Sequence, residues 1–500
     1  MLIKPRLEDH KIVGFYLGTV LVGLGAAMGI PLLTALCFRE WNPLLDYSLS
    51  GAITLSLGFA LRLSCFTKKE IGWLHGLTVA ALSWLVAALM AALPLYFSGG
   101  FGSYLDALFE AMNALATAGF SLVRDLDHLA VAHNMWRHLL MLLGGQGIVV
   151  IALSMLVRAG AGGFKLYAGE GRDERILPNI LHTARFICLI SSLFLVLGTA
   201  VLALILWSEG LPPVKALLHG LWLFMAGFHT GGFTPQTQSI LYYHSWRLEL
   251  ALLGLIILGI FNFHLHYAVL SGDKKELRRN IELNIFFLSV LLGAFLVFWA
   301  LIQRQVYPGL LAMFRKGSFL LISAHTSTGY TTLYPAQLFR EWGQLALLAL
   351  MTAMSLGGSV CSTAGGIKIL RLGLIGKALR QDVQRLLLPD NAVLAEKYHH
   401  IKDAFLNDKI VRGAALITLL YLAVFLLGAV AGVCYGYPFF AALFESISAT
   451  SNTGLSCGII NPALPAGLKI IYLLQIWAGR LEFIAIFGLL AYGWSCWRGK

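Results

Sequence analysis

With 500 residues, 58% of them apolar and only 12% charged, the chain lies far from the composition of a soluble domain, in which about a quarter of residues are charged. It reads as an integral membrane protein. A net charge of +12 would suggest nucleic acid as a partner of a soluble protein, but here the distribution of that charge marks orientation, and seven scattered cysteines without a C-x-x-C pair indicate neither a disulfide framework nor a zinc site.

Apolar runs of about 20 residues predict spanning helices near 12–36, 50–66, 72–97, 135–157, 183–207, 245–270, 282–303, 341–372, 411–435 and 465–494. No Ala-x-Ala-type cleavage site follows the first run, so no removable leader is expected. Shorter apolar stretches at 104–116, 213–228, 309–325 and 437–450 are too short to cross and are predicted as re-entrant pore helices. With both termini placed in the cytoplasm, 26 of the 37 Lys and Arg fall on that side, as the positive-inside rule requires. Its longest hydrophilic connection, Lys377 to Lys409, is either a solvated loop or the docking surface of an intracellular partner.

Each short helix runs into a polar, glycine-bearing segment. Ala116-Thr117-Ala118-Gly119-Phe120, His229-Thr230-Gly231-Gly232-Phe233, Thr326-Ser327-Thr328-Gly329-Tyr330 and Ser451-Asn452-Thr453-Gly454-Leu455 align without gaps, with 113, 97 and 125 residues between successive glycines. Copies one and four also share Ala-Leu-Phe-Glu, ending at Glu110 and Glu445. Four copies in register predict internal pseudo-fourfold symmetry, and the charge-based topology puts all four on the outer side. The expected fold is an all-α polytopic membrane protein. Two leading transmembrane helices (1–70) precede four helix–pore-loop–helix repeats at 71–160, 161–272, 273–408 and 409–500.

Dehydrating a cation requires closely spaced oxygens, which backbone carbonyls supply when a residue tolerates unusual dihedrals. Pore-helix C-termini add about half an elementary charge of favourable potential each. The expected ion-binding residues are therefore Thr117, Ala118, Gly119, Thr230, Gly231, Gly232, Thr326, Ser327, Thr328, Gly329, Asn452, Thr453 and Gly454. In the second copy, Met225-Ala226-Gly227-Phe228 is a competing register. Spacing alone supports a monovalent cation.

Within the eighth span, Gly357-Gly358-Ser359-Val360-Cys361-Ser362-Thr363-Ala364-Gly365-Gly366-Ile367-Lys368 carries enough glycine to unwind a helix, and non-helical backbone survives at membrane depth only in a cavity or buried in protein. It is expected to gate, through Gly357, Gly358, Ser362, Thr363, Gly365, Gly366 and Lys368; the bland alternative is a small-residue packing seam. Arg480 in the last span costs about 2.5 to 3.5 kcal/mol on insertion scales unless it meets water, a partner or the ion path; direct pairing with Glu482, two residues on, is not expected. Glu110 and Glu445 either draw cations to the mouth or hydrogen-bond the segments, and both readings stay open. His264-Leu265-His266 diverges along a helix and is expected to be structural, while Trp222 and Trp246 suit interface belts or core.

These segments, with Ala324-His325-Thr326-Ser327-Thr328-Gly329-Tyr330 and Leu122-Val123-Arg124-Asp125-Leu126-Asp127-His128, resemble the Trk/Ktr/HKT superfamily of potassium transporters, TrkH-type subunits most closely, over essentially the whole chain. In that family a glycine in every filter copy goes with potassium selectivity, so the resemblance implies potassium uptake across the inner membrane. It also implies that residues 355–368 form an intramembrane gating loop, that Arg480 is an electrostatic barrier, and that the subunit is a homodimer on cytosolic nucleotide-binding regulatory subunits. No cofactor is expected in this chain. Ala116-Thr117-Ala118 departs from the family's threonine run. The alternatives are a sodium-conducting or poorly selective relative and, from another class, a membrane-embedded enzyme, which the scarcity of titratable groups in the repeated segments disfavours.

Overall fold

The computed structural model describes residues 5–147, 180–389 and 394–499. The distal half of the span expected at 135–157, the boundary near 160, and Arg158, Lys165, Arg172 and Arg175 lie outside the described residues. The described residues are mostly helical, with almost no strand.

Helices α1 (Leu7–Ala27) and α2 (Gly29–Cys37) form one 31-residue apolar span, and α3 (Trp41–Ser64) returns beside it. Their backbones approach at Gly18 and Gly58, where a Cβ on either would press into the opposing main chain, a small-residue seam of the sort that replaces the hydrophobic drive inside lipid. Then follow α4 (Trp73–Phe97), α5 (Tyr104–Leu115), α6 (Val131–Gln146), α7 (Ile180–Ser208), α8 (Pro213–Phe228), α9 (Trp246–Ile260), α10 (Phe263–Leu270), α11 (Glu276–Arg279), α12 (Ile281–Gln303) and α13 (Leu310–His325). The chain continues through α14 (Pro335–Glu341), α15 (Gly343–Ser355), α16 (Ile369–Arg385), α17 (Asp408–Cys434), α18 (Phe439–Thr450), α19 (Ala466–Arg480) and α20 (Ile484–Arg498).

The short helices expected from the apolar runs appear as α5, α8, α13 and α18, with starts set by local chemistry. Ser103 caps α5 by accepting from the Asp106 N–H, and Pro213 occupies the first position of α8, where its missing N–H costs nothing. Their C-terminal halves are buried almost throughout. By contrast α12 turns Leu288, Leu291, Leu292 and Phe295 outward, each more than half exposed, as a lipid-facing helix does.

The predicted spans need two corrections. Residues 245–270 and 465–494 are bent pairs, α9–α10 by 99° and α19–α20 by 106°, whereas the coil that interrupts 341–372 between α15 and α16 is the unwinding expected of its glycines. Counting each bent pair once gives eight helical spans long and apolar enough to cross a bilayer among the described residues. The first bend leaves the helix at Phe261 and restarts on Asn262, whose side chain accepts from the His264 N–H at 2.8 Å. The second places Glu482 and Phe483 in the left-handed region at φ 50° and 66°. Hydropathy sees none of this, because averaged over a span the apolar helices on both sides of each bend outweigh the few residues at it.

An all-α fold also misses one hairpin, β1 (Lys397–His400) against β2 (Lys402–Phe405), tipped by Ile401 at φ 61°. It is pinned to the bundle by His399, which contacts Glu276 at 2.8 Å and Asp403 at 2.6 Å. Burial alone would lower the His399 imidazole, but its hydrogen bonds to Glu276 and Asp403 outweigh that and hold it above its usual range. Burial acts to raise Glu276, yet the His399 and Asn280 contacts hold it below the usual carboxylate range. The imidazole's contribution is therefore complete below the ordinary histidine pKa and is lost as pH rises through the raised value. Amide exchange across residues 397–405, corrected for intrinsic rate, is expected to accelerate as pH rises from the ordinary histidine range through the raised value and to lose that pH dependence in His399→Gln; a flat profile in the unmutated chain would contradict this docking.

Candidate functional site

The four pore helices end alike. In each, the residue two before the glycine donates to the carbonyl three back and the next donates to the carbonyl five back: Thr117 to Ala114 and Ala118 to Asn113, Thr230 to Gly227 and Gly231 to Ala226, Ser327 to Ala324 and Thr328 to Ser323, Asn452 to Ala449 and Thr453 to Ser448, all at 2.7–3.2 Å. This is the Schellman arrangement. Its left-handed residue is Thr117, Thr230, Ser327 or Asn452, with φ between 51° and 53°, a conformation that all but asparagine resist and that costs about 1–3 kcal/mol each. Gly119, Gly232, Gly329 and Gly454 follow at φ 72–85°. The competing register in the second copy is excluded as an equivalent, because Met225–Phe228 is still helix.

Between segments, the glycines close a ring. A Cβ on Gly119 would lie 2.7 Å from the Gly231 oxygen; one on Gly232 would strike the oxygen of Thr328, one on Gly329 that of Thr453, and one on Gly454 that of Ala118. Each glycine thus abuts the carbonyl of the residue preceding the next glycine, and the fourth contact returns to the first segment. All four glycines line one cavity of about 180 Å³, which defines the upper side. The fifth residues, Phe120, Phe233, Tyr330 and Leu455, are buried behind the ring; the Tyr330 hydroxyl donates to Leu223 O of α8 at 3.0 Å. His325 turns away from the ring, to Ser289 at 2.7 Å.

Beneath the ring lies the glycine-rich loop. Its neck is closed by Gly357 N–H to Ile367 O at 2.9 Å and Ile367 N–H to Ser355 O at 3.0 Å. Gly357 packs against Gly365 and Gly366, and Gly358 against Ile260, Ser362 and Ala364, so these two residues shape the neck. The tip reaches the ring: a Cβ on Gly365 would collide with Ser451 O, and the Thr363 hydroxyl lies 3.3 Å from that of Thr230. Thr363 also donates to Gly259 O at 2.9 Å, while the Ser359 N–H donates to Ile260 O at 3.2 Å. The loop thereby satisfies carbonyls freed by the α9–α10 bend, which lipid could not do. Lys368 folds back on Ala364 O at 2.6 Å.

Arg480 ends α19 directly below the first segment. It donates to the Thr117 hydroxyl at 3.2 Å, Thr363 O at 2.7 Å and Gly144 O at 2.7 Å. Together with Gly365, Gly366, Lys368 and Glu482 it lines a second, lower cavity of about 30 Å³. Glu482 does not answer Arg480 through an ion pair but binds Arg371 and lies 3.9 Å from Lys368. Two carboxylates that matter to the loop were thus missed from sequence: Glu482, and Glu282, which accepts from the Val360 N–H at 2.8 Å. Their presence within apolar spans was the available signal.

Glu110 and Glu445 settle on the second of their two readings. Each is fully buried and accepts from the chain just past its glycine: Glu110 from Ser121 Oγ at 3.0 Å and Leu122 N–H at 2.9 Å, Glu445 from Ser456 Oγ at 2.5 Å and Cys457 N–H at 3.0 Å. Trp222 is core and Trp246 is exposed. No cluster of three potential metal ligands occurs among the described residues, the two histidines of α10 included.

A family model described as TrkH, a cation transport protein, matches residues 47–491. An uncharacterized cation transporter of Methanocaldococcus jannaschii is 31% identical over 490 residues, 97% of each chain. The Trk system potassium uptake protein TrkH of Escherichia coli K12 is 28% identical over 500 residues, 96% of this chain and 98% of that one. The crystal structure of the potassium transporter TrkH from Vibrio parahaemolyticus superposes with a TM-score of 0.81 at 25% identity, covering 96% of this chain and 98% of the other. Fold and relatives define a multi-pass membrane transport protein, not an enzyme. The chain belongs to the TrkH family of cation transport proteins.

Gly329→Ala must bring a Cβ against Thr453 O at positive φ, a conformational penalty of about 1–2 kcal/mol before the clash is counted. Its thermal unfolding in detergent is expected well below that of the unmutated protein, whereas Gly254→Ala, a helical site with open space around it, is expected to be neutral or slightly stabilising. Equal shifts in the two variants would contradict the packed ring.

Proposed function

We propose that the chain is a channel-like potassium uptake pathway of the inner membrane, with the four glycine segments as its selectivity filter. The observation that carries the reading is the cyclic contact of each glycine with the next segment's carbonyl, which gathers backbone oxygens from all four segments around one axis. Four pore-helix C-termini meet there and add negative potential. Ser327 Oγ and Thr453 Oγ1 are buried without a hydrogen-bond partner among the described residues, and oxygen is the ligand an alkali cation takes from water. Glycine in all four copies, Gly119 included, favours potassium over sodium by family resemblance, in line with the relatives that are named for potassium uptake.

In this reading ions enter from the upper cavity, and the loop 355–368 with Arg480 obstructs the path below the ring. At about −100 mV each entering cation gains about 2.3 kcal/mol, so uptake needs no coupled ion in principle. The repeat boundaries, the cytoplasmic placement of both termini and a homodimeric assembly are parts of the same proposal. So is docking of a cytosolic nucleotide-binding regulatory subunit on residues 374–408, where α16 and the turn after it leave Leu379, Val383, Leu386 and Leu387 more than half exposed.

Purified protein in liposomes is expected to pass potassium faster than sodium. Equal or greater sodium flux would move the reading to the sodium-conducting alternative. Arg480→Ala is expected to raise potassium flux by removing a fixed positive charge from beneath the first segment; flux equal to that of the unmutated protein would rule out the barrier role.

A further inference from the structure

Arg137 of α6 is fully buried and takes no part in the ring, the loop or the lower cavity. Its guanidinium spans the junction between two filter segments. On the first, Nε donates to Glu110 at 2.7 Å and Nη2 to Ser121 Oγ at 3.2 Å, Ser121 lying two residues past Gly119. On the second, Nη1 donates to the carbonyl of Thr234, two residues past Gly232, at 3.4 Å, and the group lies 4.3 Å from the centre of the Phe233 ring. Nη1 also donates to Asn134 at 3.1 Å. Directly below, Gly119 and the Gly231 oxygen stand at the limit of approach that a missing Cβ allows.

A buried ion pair is seldom more stabilising than apolar residues of the same volume, and this chain contains the comparison. Copies one and four run in register without gaps from Ala107 and Ala442 onward, so Glu110 corresponds to Glu445, Ser121 to Ser456 and Arg137 to Tyr472. Glu445 holds its own loop through Ser456 and Cys457; among the described residues it forms no ion pair, and its Oε2 has no hydrogen-bond partner. The turn past the glycine therefore forms without an arginine. What Arg137 adds is the link from segment one to segment two.

We propose that Arg137 is a positioning residue for selectivity: its rigid fork fixes the distance between the first and second filter segments at their upper ends. The proposal rests on the filter reading above. Spacing of the carbonyl ring is what discriminates ions of different radius when the oxygens cannot relax, and a planar five-donor guanidinium holds two acceptors at fixed separation where an ammonium cannot.

The test is the ratio of potassium to sodium flux in liposomes for the unmutated protein, Arg137→Lys and Ser121→Ala, with reconstituted protein matched. Arg137→Lys keeps the charge beside Glu110 and loses the fork, so the ratio is expected to fall about tenfold, the equivalent of one charge-assisted hydrogen bond, while potassium still passes. Ser121→Ala removes only the hydroxyl tether and is expected to lower the ratio about threefold, the equivalent of one weak neutral hydrogen bond. An unchanged ratio in Arg137→Lys overturns the proposal; should that variant not fold, an unchanged ratio in Ser121→Ala overturns it equally. An unmutated protein with no preference for potassium would instead defeat the filter reading on which the proposal rests.

Discussion

Four segments of one chain approach one another so closely that no side chain fits between them. At Gly119, Gly232, Gly329 and Gly454 the space where a Cβ would stand is filled by the main chain of the neighbouring segment. That exclusion ties the remaining features together. It requires glycine, it sets a backbone oxygen of each segment against the glycine of another in a closed cycle, and it follows in each segment a strained Schellman turn with a non-glycine residue at positive φ. Strain of this size persists only where the surroundings over-determine it. Here they are four almost wholly buried helix ends.

The lower side follows from a second constraint, that main-chain groups freed at membrane depth must find partners within the protein. The bends at Phe261 and Glu482 and the interruption after Ser355 each release carbonyls and amides. The loop and Tyr421 take up several of them, and Arg480 serves another helix end: Thr363 and Ser359 serve α9, the Tyr421 hydroxyl serves Gly479 of α19 at 2.9 Å, and Arg480 serves Gly144 in the last turn of α6. A segment that satisfies its surroundings in one position must lose several hydrogen bonds to leave it. Displacing the loop therefore carries an energetic threshold, one that the neighbouring charges Lys368, Arg371 and Glu482 can tune.

Much of this was legible in the sequence. The four short helices appear within a few residues of the apolar runs at 104–116, 213–228, 309–325 and 437–450, because length alone separates them from the spans. The glycine register was readable because ring closure admits one residue type, so it recurs at a fixed offset from each helix end. Bends and partners were not readable. Hydropathy averages over Phe261 and Phe483 without registering a change of direction, the hairpin at 397–405 lies in a connection without apolar periodicity, and the ties of Glu282 to Val360 and of Glu482 to Arg371 join residues 78 and 111 positions apart. Arg137 went unnoticed for the same reason, since its acceptors belong to two segments that meet only in the folded ring.

Direct observation of a permeant ion would test the ring most sharply. Crystals grown in a thallium(I) salt, a heavy monovalent cation with a strong anomalous signal, should show density on the axis enclosed by the carbonyls of Ala118, Gly231, Thr328 and Thr453. An empty axis at saturating thallium, with the four segments ordered around it, would contradict cation coordination by these residues.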